Sequence, residues 1–228
     1  MSYISGEPRI KLDEYEGYVK SLEQAPIEEG KIMFYGSSLL TRWSEKWKHT
    51  NLEDDIRAKD GSKIAVNHGF GGSCVEEQLY YYNRLVKPWK PKALVFSGFL
   101  NDSWRGYTVP EIIFLFNRLF DYARHDMPGI HLYLTDIHPC EKHIGKPVTY
   151  WTHYHNELQA YVEEYCRKHE DTTLISWLQC PYFFENPEDI GQWDKMRTDF
   201  FVEDGVHFTQ EGYDLTKKFL LEALDAEL

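Results

Sequence analysis

Five short runs of apolar, β-branched or aromatic residues punctuate the chain, at 31–35, 63–67, 93–97, 130–136 and 172–178. Their apolarity is continuous rather than alternating, as in strands covered on both faces. Helix-compatible stretches of crossover length lie between them, at 74–86, 109–125 and 150–168. Strands alternating with helices predict βαβ units and a parallel five-stranded sheet, an α/β fold. Residues 209–228 open with Thr209 as an N-cap and carry Tyr213, Leu220, Leu221 and Leu224, which predicts a closing amphipathic helix. Residues 3–21 predict an extra helix before the first strand, whereas 181–201 shows no period and reads as a long loop. With no internal repeat, one domain is expected over 1–228, with 1–30 as a peripheral N-terminal segment.

Charge and cysteine usage narrow the classes. A net charge of −12 disfavours nucleic acid and anionic membrane surfaces as partners. Residues 1–20 are polar and acidic, unlike a signal peptide, and no apolar run approaches the ~20 residues of a membrane span. Cys74, Cys140, Cys166 and Cys180 are scattered without CxxC spacing, so a cytoplasmic protein with reduced thiols is expected. A homo-oligomer stays open.

The candidate chemistry clusters at strand ends. Phe34-Tyr35-Gly36-Ser37-Ser38-Leu39-Leu40 reads as a buried strand ending in a tight turn, with serine at the carboxyl end where open α/β sheets bind ligands. Alone, a Gly-Ser-Ser is weak. The second run leads into Asn67-His68-Gly69-Phe70-Gly71-Gly72-Ser73, whose glycines let backbone approach a ligand and free N–H groups for an anion, although a bare turn reads equally well. It lacks the third glycine of a dinucleotide fingerprint. The third run leads into Asn101-Asp102, which more often marks a turn or cap than an anion donor. Of ten histidines only His207 follows an acidic residue by three, in Asp204-Gly205-Val206-His207. A carboxylate there can take the Nδ1 proton and turn Nε2 toward a serine. Steps of 34 residues from Ser38 to Gly72 and 29 from Gly72 to Asn101 are each about one βαβ unit of ~30 residues, which puts all three at one sheet edge. His138, Cys140 and His143 invite a metal reading, but no fourth ligand is evident and no metal is expected.

With these blocks in this order, the sequence resembles the SGNH hydrolases, also called GDSL esterases and lipases. The matching segments are Phe34 to Leu39, Gly69 to Ser73, Asn101-Asp102 and Asp204 to His207. The resemblance implies a three-layer α/β/α sandwich with a flavodoxin-like parallel five-stranded sheet. It also implies Ser38 as nucleophile, His207 as general base and then acid, and Asp204 orienting it. The N–H groups of Ser38 and Gly72 with the Asn101 amide would form the oxyanion hole. Ser37 stands where relatives often carry Asp, and Phe99 stands where a glycine usually precedes the Asn by two. Phe99, Trp104 and His138 are the candidate substrate contacts. The expected activity is hydrolysis of short-chain esters, acetyl foremost, on a small molecule such as a carbohydrate, without a cofactor. The alternative is a non-catalytic small-molecule or carbohydrate-binding protein on the same sandwich.

Overall fold

Five strands form where the apolar runs predict them, in a computed structural model that describes residues 9–141, 144 and 150–228. They are β1 (Ile32–Gly36), β2 (Ala65–Gly69), β3 (Ala93–Ser97), β4 (His131–Thr135) and β5 (Thr172–Ile175). All neighbours are parallel, in the order β2-β1-β3-β4-β5. The expected three-layer sandwich and flavodoxin-like order are therefore what this chain adopts.

Residues alternate between the two faces, and both faces are covered. Met33, Tyr35, Leu94, Phe96, Leu132 and Leu134 join one core. That core lies under α1 (Leu12–Glu23), α4 (Val75–Leu85), α6 (Val109–Asp126) and α7 (Tyr150–Lys168). Ile32, Phe34, Val95, Tyr133 and Ile175 face the second core. There they meet α2 (Ser38–Thr41), α3 (Leu52–Asp55) and α8 (Gln210–Ala223). One further short helix, α5 (Leu100–Trp104), follows β3. The helix starts obey their local chemistry: Thr108 and Glu111 form a reciprocal capping box on α6, and Thr209 accepts from the Gly212 N–H on α8.

Three expectations shift in detail. β5 stops at Ile175 rather than running to 178, because buried Asp136 accepts from the Ser176 hydroxyl at 2.5 Å and the Trp177 N–H at 2.9 Å and turns the chain there. The segment 181–201 is irregular as expected, but it is packed into the fold. It winds through three 3₁₀ turns, and the buried rings of Phe183 and Phe200 stack at 4.6 Å inside the second core. The N-terminal segment is more than peripheral: Tyr15 and Val19 of α1 are buried in the first core, while residues 1–8 lie outside the described residues.

Two glycines sit where the end of β1 meets β3 and where β2 meets α2. A Cβ on Gly36 would lie 1.9 Å from the Ser97 carbonyl oxygen, and one on Gly69 would lie 2.4 Å from Leu40 Cβ and 2.9 Å from the Thr41 nitrogen. Neither position has room for a side chain. Gly69→Ala is therefore expected to push α2 outward, lowering stability in urea unfolding by about 1–3 kcal/mol, the usual cost of overpacking. Gly17→Ala is the matched control: nothing lies within 4 Å of a Cβ in that helix, so stability should hold or rise by up to about 1 kcal/mol.

Candidate active site

Ser38 is the first residue of the one-turn helix α2, directly after the Gly36-Ser37 turn at the carboxyl end of β1. So short a helix leaves carbonyls without intrahelical partners. Side chains from elsewhere supply them: the Tyr213 hydroxyl donates to the Leu39 carbonyl at 3.0 Å, and the Asn67 amide donates to the Leu40 carbonyl at 2.8 Å. The Ser38 carbonyl accepts from the Arg42 N–H at 2.9 Å within the turn, and contacts from the second core and β2 hold the rest of that turn in place.

His207 arrives from the loop before α8, and its Nε2 lies 2.8 Å from Ser38 Oγ. Nδ1 lies 2.7 Å from Asp204 Oδ2. An ionised carboxylate only accepts, so Nδ1 carries the proton and Nε2 accepts from the serine hydroxyl. The other carboxylate oxygen accepts from the N–H groups of Val206 and His207, each at 2.9 Å, closing a tight turn around Asp204. Partial burial opposes ionisation of Asp204, but those N–H groups and the imidazole outweigh it and hold its carboxyl well below the usual range. Burial lowers the proton affinity of His207, the bond to Asp204 opposes that, and the nearby Arg42 cation adds to the lowering.

Arg42 was not singled out in the sequence. Its Nη1 lies 3.1 Å from Asp204 Oδ2, the oxygen that also takes the imidazole proton, and its guanidinium lies over the Trp47 ring at 4.4 Å. The available signal was its place four residues after Ser38, one helical turn on.

The expected anion donors lie on the loop after β2 and on the short helix after β3. A Cβ on Gly71 would sit 3.4 Å from Ser38 Cβ, so this backbone passes Ser38 at contact distance. Gly72 has φ +85°, a conformation glycine adopts without penalty. Asn101 in α5 donates through Nδ2 to the Ser73 carbonyl at 3.0 Å, which ties it to the same loop. One amide hydrogen is used there and the second is available to a ligand. Asp102, beside it, is buried and accepts from the Val75 N–H at 2.9 Å, so it serves the start of α4.

The candidate substrate contacts fare differently. Phe99 is 1% exposed and packs against Phe96 and Phe116 in the core, so its ring contacts no substrate as placed. His138 is also buried; its Nε2 donates to the Val206 carbonyl at 2.6 Å and its ring lies 4.8 Å from Phe208. It braces the loop that carries His207 from behind. Burial pushes its proton affinity down to about 3, so it stays neutral there. Cys140 Sγ lies 3.3 Å from the Gly205 carbonyl and the Glu141 N–H donates to it at 2.8 Å, which occupies that stretch with bracing as well. His143 lies outside the described residues, and among the described residues no group of three or more His, Cys, Asp or Glu could hold a metal ion. Trp104 is partly exposed at the end of α5.

The GDSL-like Lipase/Acylhydrolase family model matches residues 34–215. No curated protein matches the chain. Solved structures share its fold. A GDSL-like lipase from Bacteroides thetaiotaomicron is 18% identical over 97% of this chain and 100% of its own, with a TM-score of 0.67. An acetyl-xylooligosaccharide esterase mutant from Geobacillus Stearmophilus is 13% identical over 87% and 95%, with a TM-score of 0.62. A psychrotrophic esterase from Pseudoalteromonas sp., solved inhibited by monoethylphosphonate, is 12% identical over 87% and 98%, with a TM-score of 0.61. At these identities the likeness establishes the fold. None of the described helices is long and apolar enough to cross a membrane.

The electrostatics set a pH dependence. If His207 must be neutral to accept the serine proton, turnover falls as pH drops through its folded-state pKa. Burial and Arg42 lower that pKa, so the acid limb of kcat/KM should have its midpoint below the ordinary histidine value of about 6.5. Arg42→Gln removes a cation that disfavours imidazolium, so the limb should move toward higher pH. An unmoved limb would show that Arg42 does not act on His207.

Proposed function

The chain belongs to the GDSL-like lipase/acylhydrolase family, and from that premise we propose that it is a serine esterase acting on short acyl groups, acetyl foremost, carried by a small alcohol such as a sugar. The observation that carries the reading is the chain of contacts from Ser38 Oγ to His207 Nε2 at 2.8 Å and from His207 Nδ1 to Asp204 at 2.7 Å. A binding module has no use for a serine so activated.

The proposed steps follow from that geometry. Ser38 Oγ attacks the ester carbonyl carbon while its proton passes to His207 Nε2. The carbonyl oxygen becomes an anion facing the N–H groups of Ser38 and Gly72 and the free amide hydrogen of Asn101, donors that bind it more strongly than the neutral carbonyl. Asp204 stabilises the imidazolium. Collapse breaks the bond to the alcohol oxygen, which takes the proton from His207 and leaves an acyl-Ser38 ester. Water, deprotonated by the now neutral His207, attacks that ester; the second intermediate expels Ser38 with the same proton and releases the carboxylic acid.

The acyl and alcohol preferences draw on the fold likeness and the surface. The fold neighbour from Geobacillus is an acetyl-xylooligosaccharide esterase, and partly exposed aromatic rings at Trp47 and Trp104 are the kind of surface on which sugars stack.

A panel of aryl esters from acetyl to octanoyl, with acetylated sugars, tests both parts. Activity is expected to fall with acyl length. Ser38→Ala should lower kcat by about four to six orders of magnitude while the melting temperature barely moves. A fluorophosphonate should label Ser38 in the folded protein. Turnover retained in Ser38→Ala, or no adduct at Ser38, would leave a binding protein as the better reading.

A further inference from the structure

Behind the Gly71-Gly72-Ser73 loop lies a mostly buried set of charged and polar groups that the acyl-transfer steps do not use. Arg105, just past α5, donates through Nη2 to the Gly72 carbonyl at 2.6 Å and the Tyr15 hydroxyl at 2.5 Å. Through Nη1 it reaches Glu77 Oε1 at 2.5 Å and the Arg9 carbonyl at 3.0 Å. The Glu77 side chain has no exposed surface and also accepts from the backbone N–H groups of Cys74, at 2.6 Å, and Lys11, at 2.9 Å. A Cβ on Gly72 would stand 3.2 Å from the Tyr15 hydroxyl oxygen, so the phenol lies against the back of the loop.

Two physical points bear on what this assembly is for. A buried ion pair seldom stabilises a fold more than well-packed apolar residues of the same volume would. A loop with adjacent glycines also has more conformational freedom to lose than any other sequence. The guanidinium grips that loop by the carbonyl of its φ +85° residue, and Asn101 grips it again one residue later at Ser73. The grip is well matched to a rigid, planar fork with five donors and poorly matched to any other side chain.

We propose that Arg105 and Tyr15 are positioning residues for the oxyanion hole, holding the 71–73 backbone from behind so that the Gly72 N–H stays fixed beside Ser38. The inference rests on the esterase reading above. Tyr15 belongs to α1, which precedes the matched family region at 34–215, so this chain's N-terminal segment contributes to the chemistry of the site. Glu77 acts one step further out: it neutralises Arg105 and ties it to α4 and to residue 11.

The test separates positioning from folding. Arg105→Lys keeps a cation opposite Glu77 but loses the fork, and Tyr15→Phe keeps the ring but loses the acceptor. In both, kcat for an acetyl aryl ester, counted per phosphonate-titrated site, should fall, by about tenfold or more for Arg105→Lys, because a misaligned donor loses transition-state contact. KM should stay within about twofold. The rate of inactivation by phosphonate, whose oxygen occupies the oxyanion position, should fall in parallel. Wild-type kcat and inactivation rate in both variants would overturn the proposal, as would a loss confined to KM. Ser38→Ala, assayed alongside, separates the two failures. Turnover that survives Ser38→Ala removes the esterase reading itself. Turnover lost in Ser38→Ala but intact in both other variants removes only the clamp.

Discussion

The 2.8 Å hydrogen bond between Ser38 and His207 joins residues 169 positions apart, and much of the fold serves to bring its two ends together. The strand order places β1 between β2 and β3, so the loops that follow its two neighbours flank the serine. This is the topological switch point of an open parallel sheet, where successive crossovers leave in opposite directions and open a crevice. Gly72 and Asn101 lie there because their strands pair with β1 in register, Gly36 opposite both Gly69 and Ser97. His207 has no such guarantee. It follows β5, two strands beyond β3, and its loop must reach back across the sheet edge. The bracing from His138 and Glu141 after β4 is what a loop in that position requires: it fixes the carbonyls of Val206 and Gly205 at the level of the crevice.

Electrostatics at the site are local rather than global. A chain with net charge −12 surrounds every histidine with a field that favours the proton, which is the wrong direction for a general base. Screening limits charges beyond about 8–10 Å at ordinary salt, however. Arg42 is in contact with Asp204, and His207 is largely buried, so short-range effects decide the state of the imidazole. Arg42 also shares the Asp204 oxygen that holds the imidazole proton, which keeps that carboxylate from drawing the proton too strongly onto His207.

What could be read from the sequence followed from periodicity and spacing. Continuous apolar runs marked the strands, and the distances between Ser38, Gly72 and Asn101 matched the length of a βαβ unit, so one sheet edge followed from arithmetic. Asp204 and His207 were legible because both lie in one tight turn. Arg105 and Tyr15 were not legible. Their partners lie 33 residues away at Gly72 and 90 residues away on α1, and no local pattern marks an arginine that will reach inward to them. The aromatics of 181–201 show no period because 3₁₀ turns separated by bends place Phe183 and Phe200 side by side, so their packing was not legible. His138 looked like a ligand or substrate group because sequence cannot show that a carbonyl of a distant loop already occupies its Nε2.

Phe99 shows how packing and aim are coupled at this site. It adopts φ +78°, a region where glycine is at ease and a phenylalanine costs about 1–3 kcal/mol of backbone strain. The ring offsets the cost by full burial against Phe96 and Phe116, a gain of about 1.5–3 kcal/mol for a large apolar side chain. The two magnitudes are of the same order, so the turn persists without the freedom a glycine would bring. α5 begins at the next residue, and the turn at Phe99 sets the direction in which that helix starts. Asn101 therefore takes its position from a backbone pinned by the hydrophobic core, as Gly72 takes its own from a loop held by a half-buried arginine. The two donors expected to meet the same developing charge are held by different physics, one apolar and one ionic, and the bond from Asn101 to Ser73 keeps them in step.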